Sequence, residues 1–362
     1  MTRKALDYAI LACDTMIKKF APQDLPPVKF HYHQGVFLSG MQHTWHLTGD
    51  TKYYNYIKDW VDSVTTKSGE IIKYKPDELD DMQPGILLFE LYEKTGDERY
   101  KKVLETIAEL LKNWTCNPYG GFWHKGIRNQ MWMDGMYMGG PIMTELAKKF
   151  GYEEFYDTVH LQMTLMRDHA RDPKTGLFYH AWDPYKEAEW ADKETGCSAH
   201  FWGRAMGWYA VAMFEIAELM PADHPKRQDF IDTGIQLIND LLKYQDADTG
   251  LWYQVVDKGD QPDNWTEVSC SCLYNYALCK AINMGYLGQE YHKYAQKAYQ
   301  GVIDTLGYDE NGGIQVQKVC IGTGINDYEG YINRPTSTND LHGMGAFLLM
   351  CCEYHTAFDG KK

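Results

Sequence analysis

Thr48-Gly49-Asp50-Thr51-Lys52-Tyr53 returns, slightly altered, as Thr95-Gly96-Asp97-Glu98-Arg99-Tyr100. Each copy follows an apolar run of helical spacing and precedes a more polar one. Glycine can close the first helix in a left-handed conformation, and the aspartate after it can open the next helix as its N-cap. Similar joints stand at Phe150-Gly151-Tyr152 and Tyr286-Leu287-Gly288. The repeated unit is therefore a helical hairpin.

Extended along the chain, this reading predicts six apolar helices, starting near Gln34, Asp80, Asp134, His200, Val268 and Asn339. A more polar helix follows each of the first five. An amphipathic N-terminal helix over residues 2–19, with Leu6, Ala9, Ile10, Cys13, Ile17 and Phe20 at helical spacing, completes the sixth pair. Six hairpins with their apolar helices turned inward predict an all-α fold, an (α/α)6 six-hairpin toroid. An open solenoid is the alternative, but it would show more uniform repeat lengths. Thr175–His180 and Thr249–Gln254 are copies of a second element, a Gly turn followed by β-prone alternation, with looser copies at 120–124 and 311–315. They predict short β-ribbons on the long connections.

The length of 362 residues favours two domains as a prior, yet no Pro/Ser-rich linker or shift in composition divides the chain. A single toroid domain over 1–362 is expected. Net charge is −14 with no Lys/Arg-rich block, which disfavours nucleic acid as a partner. No run approaches the roughly 20 apolar residues of a membrane span. The N-terminus carries no apolar leader, and the nine cysteines are not spaced as a zinc or disulfide framework. Reduced core thiols in a cytoplasmic protein are expected, with no metal. Aromatic residues reach 14% of the chain, enough to supply a stacking surface as well as a core.

In a toroid all inner helices begin on the face that bears the long connections. The residues there are reactive ones: His31-Tyr32-His33, Asp80-Asp81, Asp134, His200 with Arg204, Glu267, and Asp340 with His342. As single residues the acids read equally well as helix caps; the accompanying His, Arg and Trp do not. Asp134 lies among rings and thioethers in Trp132-Met133-Asp134-Gly135-Met136-Tyr137, where burial should raise its pKa as a general acid requires. Asp80, or its neighbour Asp81, is a second carboxylate that could share the pocket. Arg204, one helical turn from His200 and from Trp208, could clamp a carboxylate while the rings stack on a sugar. His124 and His180 are lesser candidates for polar contact. No phosphate-binding loop, dinucleotide fingerprint, zinc-protease motif or nucleophile elbow is present. Acids, Arg and abundant rings in a funnel point to carbohydrate.

The stretches FWHK (122–125), QMWMDGMYMGGP (130–141), TGLFYHAWD (175–183), FWGRAMGWY (201–209), TGLWYQVVDKGD (249–260) and STNDLHGMGAF (337–347) resemble the unsaturated rhamnogalacturonyl hydrolases, glycoside hydrolase family 105. The resemblance runs from HYHQGVF (31–37) almost to the C-terminus. It implies an α/α six-hairpin toroid that removes a 4,5-unsaturated galacturonyl residue from the non-reducing end of pectin-lyase products. It places the catalytic acid on Asp134 and the second acid on Asp80, with Asp81 as the competing choice. Substrate contacts fall on His31, Tyr32, His124, Trp132, His180, Trp202, Arg204 and Trp208, and on a loop near Thr323 and Gly324. It implies neither cofactor nor metal, and no obligatory protein partner. A lyase or sugar epimerase on the same toroid, or a non-catalytic carbohydrate-binding scaffold, remain the alternatives.

Overall fold

The computed structural model describes residues 3–127 and 130–360. Gly49 and Gly96 adopt φ of 69° and 66°. Asp50 and Asp97 accept from the backbone N–H groups of Lys52 and Arg99 at 3.1 and 3.0 Å. Both joints are thus capped as their sequence predicts.

These joints link α2 (Tyr32–Thr48) to α3 (Thr51–Val64) and α4 (Leu88–Thr95) to α5 (Glu98–Lys112). Further hairpins pair α6 (Gly135–Phe150) with α7 (Glu154–Ala170), and α8 (Gly203–Leu219) with α9 (Arg227–Leu242). The last two are α10 (Val268–Asn283) with α11 (His292–Asp304), and α13 (Leu341–Tyr354) with the N-terminal α1 (Ala5–Lys19). A one-turn helix, α12 (Tyr328–Ile332), lies on the final long connection. Inner helices such as α10 and α13 are buried on nearly every side, whereas outer helices such as α5 bury one stripe. Around the ring α6 packs on α8, α8 on α10, α10 on α13 and α13 on α2. The turns before α4 fill the gap between α2 and α6. The six-hairpin toroid is the observed fold.

Three details depart from expectation. The second inner helix is not α-helical from Asp80: 3-10 turns at Leu79–Asp81 and Gln83–Leu87 precede α4. Pro84 lacks the N–H that a helix needs, and α2 approaches so closely that a Cβ on Gly35 would collide with Gln83. The fourth inner helix starts at Gly203, leaving His200 outside it. The ribbons are also smaller than predicted. The elements at 120–124, 175–180 and 249–254 make only the isolated bridges Cys116↔Phe122, Arg171↔Phe178 and Tyr253↔Thr266.

Two-residue strands pair instead in three antiparallel ribbons. They are β1 (Met131–Trp132) with β2 (Ala181–Trp182), β3 (Gly307–Tyr308) with β4 (Ile314–Gln315), and β5 (Val319–Cys320) with β6 (Thr336–Ser337). The β1–β2 pair joins two different connections. All nine cysteines are free thiols. Among the described residues no helix is long and apolar enough to cross a membrane.

Candidate active site

The inner helices open toward a cavity of about 260 Å³ on the face of the long connections. Pairing of β1 with β2 builds one of its walls. The Met133 N–H donates to the His180 carbonyl at 3.0 Å, and so brings a residue from a distant connection beside Asp134. Asp134 precedes α6 but makes no side-chain capping bond, so its carboxylate is not consumed by the helix end. His180 Nε2 lies 3.2 Å from Asp134 Oδ2, out of line for a good hydrogen bond. Its Nδ1 pairs at 2.8 Å with the hydroxyl of Tyr331 on α12. Assigning Tyr331 as the donor puts the imidazole proton on Nε2, facing the carboxylate.

Burial works to raise the Asp134 pKa, but the adjoining His180, with His124 behind it, outweighs that effect. The carboxyl therefore sits below the ordinary aspartate value. The expectation of a raised pKa is overturned for the protein groups alone, because its neighbours in sequence are apolar while its neighbours in space are imidazoles. Burial pushes His180 itself below the usual histidine value.

Asp80 lines the same cavity as Asp134, held by His124 Nε2 at 3.2 Å and Lys125 Nζ at 2.8 Å. Burial opposes its charge, yet His124, Lys125 and His31 together keep it well below the usual carboxylate range. Asp81 points elsewhere. It does not line the cavity, and its Oδ2 accepts from the Lys75 N–H at 2.7 Å, tying down the preceding loop.

Burial raises the Asp81 pKa to about 7 from an ordinary 3.8. Folding thus takes up a proton between those values. The stability given by the neutral form is whole below about pH 4 and is lost as pH rises through about 7. Asp81→Asn, which keeps an acceptor for Lys75, should therefore melt higher than the wild type at pH 8. That advantage should shrink toward pH 5 in paired melting curves. An advantage that is equal at both pH values would mean the buried charge is not its source.

Arg204 lines the cavity although only 1% exposed, with its guanidinium 4.5 Å from the Trp202 ring. Nη1 donates to the Cys320 carbonyl at 2.6 Å and Nη2 to that of Ile321 at 2.7 Å. Those bonds fix the connection beyond β5. They also reduce the free two-pronged fork that the sequence suggests. Among the described residues Arg204 makes no ion pair with a carboxylate. Burial opposes its charge, and buried Glu267 and Asp134 support it from a distance without pairing with it, so the guanidinium can still take an anion from the cavity. Thr323 and Gly324 line the same side, where Arg334 binds the Gly322 carbonyl and the Thr323 hydroxyl.

The other candidates fall into two layers. His31, Tyr32, His124, Trp132 and Trp202 line the cavity. Trp132 stacks on His124 with centroids 4.6 Å apart, and burial drives His31 down to about 3, leaving it a neutral imidazole. His180 is fully buried behind Asp134, and Trp208 lies behind Tyr32, stacked on Tyr137 at 5.0 Å. His200 takes no part in the cavity. Lys125, His33 and Met138 also line it, though no individual role was expected of them. The FWHK and HYH motifs carried the first two, and Met138 lies one helical turn beyond Asp134. Met138 also lines a second cavity of about 300 Å³ at the opposite end of the ring, and so forms the partition between them.

The family profile described as Glycosyl Hydrolase Family 88 matches residues 8–358. The unsaturated rhamnogalacturonyl hydrolase YesR of Bacillus subtilis (strain 168) is 27% identical over 323 residues, which are 87% of this chain and 86% of that protein. A solved glycoside hydrolase from family 105 of C. acetobutylicum ATCC 824 superposes with a TM-score of 0.92 at 34% identity. The match covers 96% of this chain and 99% of that one. The unsaturated glucuronyl hydrolase of Bacillus sp. GL1 shares the fold, with a TM-score of 0.71 at 15% identity, covering 95% of this chain and 94% of that one.

Proposed function

Because the chain belongs to glycosyl hydrolase family 88, we propose that this glycoside hydrolase removes a 4,5-unsaturated galacturonyl residue from the non-reducing end of pectin-lyase products. The observation that carries the reading is the pairing of two features on one cavity. Asp134 is left free of capping and backed by His180, and Arg204 is a buried cation without a carboxylate partner. An acid beside a waiting positive charge suits an anionic, acid-labile sugar. The similarity to YesR and to the family 105 structure supports the same substrate class.

The substrate is an enol ether whose C4=C5 bond is conjugated to a carboxylate. Asp134 as general acid protonates C4, and the positive charge left at C5 is shared with the ring oxygen. Water then adds at C5, giving up its proton to the Asp134 carboxylate, while ionised Asp80 helps to orient it. The resulting hemiketal opens and the rearranged sugar releases its glycosidic partner. Because attack is not at C1, the carboxylate spacing rules of ordinary glycosidases do not govern this site. The low pKa of Asp134 among protein groups alone assigns a task to the substrate. Its carboxylate adds negative charge and excludes water, and both effects raise the pKa toward the protonated form.

Incubation with lyase-generated oligosaccharides tests the reading. The expected result is loss of the ultraviolet absorbance of the conjugated bond. A gain would identify a lyase instead, and no change across pectic substrates would leave a binding scaffold. Turnover in D₂O should also place deuterium at C4 at early times, read by rapid NMR against a control without enzyme. Cleavage without C4 deuteration would mean direct hydrolysis at C1.

A further inference from the structure

One cluster bordering the cavity serves no step of that chemistry. Nδ1 of His33 and Nδ1 of His342 converge on the same oxygen, Asp340 Oδ1, at 3.4 and 2.8 Å. The three ligand atoms lie within 4.8 Å of one another. The outer nitrogens are already engaged: His33 Nε2 with the Tyr32 hydroxyl and His342 Nε2 with the Cys320 carbonyl, both at 3.0 Å. A carbonyl can only accept, so His342 Nε2 carries the proton and the neutral ring has a bare lone pair at Nδ1. That atom is fully buried, makes no aligned hydrogen bond, and nonetheless faces a carboxylate oxygen. Two acceptors set so close require a positive charge between them. Asp340 stands at the N-terminus of α13 without capping it, so its carboxylate is not otherwise used.

We propose that His33, Asp340 and His342 bind a divalent transition-metal ion of the zinc or cobalt class, which staples α2 to α13 where the ring closes. Two imidazoles and one carboxylate suit such ions better than magnesium or calcium, which prefer all-oxygen shells. An imidazole that donates its outer N–H to a backbone carbonyl has the usual support of a metal-ligating histidine. Of the three, His33 also lines the cavity. The charge of nearby Arg204 acts on both His33 and Asp340 and opposes a dication, which limits the affinity. Spacing rules gave no hint of this set, because its members come from opposite ends of the chain.

The test uses the full, untagged chain after chelator treatment, titrated with Zn²⁺ by calorimetry and with Co²⁺ by visible absorption. One ion per chain should bind, Co²⁺ should develop ligand-field bands, and saturating Zn²⁺ should raise Tm. Asp340→Asn and His342→Gln should each weaken binding by at least about 10-fold. His33→Gln, which leaves the buried His342–Cys320 bond intact, should do the same if the other variants fold poorly. Absence of saturable binding would overturn the proposal and leave a proton as the bridging charge. Binding that is unaltered in every folded variant would overturn it equally, by placing the ion elsewhere.

Discussion

Asp134→Asn should lower kcat by at least about 10²-fold, the scale of a lost general acid, while helicity and melting stay near those of the wild type. Asparagine fills the same space, and the wild-type side chain caps no helix whose end would be weakened. It cannot deliver a proton to C4. Nor can it recover one from the attacking water, so both halves of the proposed hydration would suffer from one substitution. The contact with His180 Nε2 at 3.2 Å can survive as an ordinary amide contact, which keeps the wall in place. Loss of ultraviolet absorbance on a defined unsaturated oligosaccharide measures the effect. Turnover close to the wild-type rate with unchanged circular dichroism would remove Asp134 from the mechanism.

Arg204→Lys is the other large effect, and it should appear first in KM. Lysine keeps the charge but has one nitrogen where arginine has three. It cannot hold the Cys320 and Ile321 carbonyls together while also facing a substrate carboxylate. A loss of about 1–3 kcal/mol is expected from a charge-assisted contact, accompanied by a modest fall in Tm as the connection carrying Thr323 loosens. The two effects are separable. A lowered Tm with KM and kcat unchanged would make Arg204 a strut for that connection and nothing more.

Chemistry that depends on neighbours in sequence could be read from the sequence; chemistry that depends on neighbours in space could not. The Gly49–Asp50 and Gly96–Asp97 joints are local devices, and each is built as its residues require. The inward apolar helices follow from periodicity, and with them the ring. The acids at the helix starts were visible for the same reason. The pKa of Asp134 departs from the sequence expectation because His180 reaches it through a two-residue ribbon between separate connections. Such a ribbon has no signature in either segment alone. Asp80 and Asp81 are adjacent and chemically identical in sequence, and only the 3-10 turn that carries them sends one to the cavity and the other to Lys75. Arg204 is legible in the sequence as a candidate carboxylate clamp, but the two carbonyls that engage it are not.

Met138, the thioether that lines both chambers of the ring, stands between a cup on the face of the long connections and a second hollow behind it. Under the proposed function, a chain would enter such a cup end first and its released unit would leave by the way it came. Each turnover would then require the shortened chain and the freed sugar to clear one shared doorway. Catalysis of that kind would trim from a terminus and restart after every cut, instead of running along a polymer without letting go.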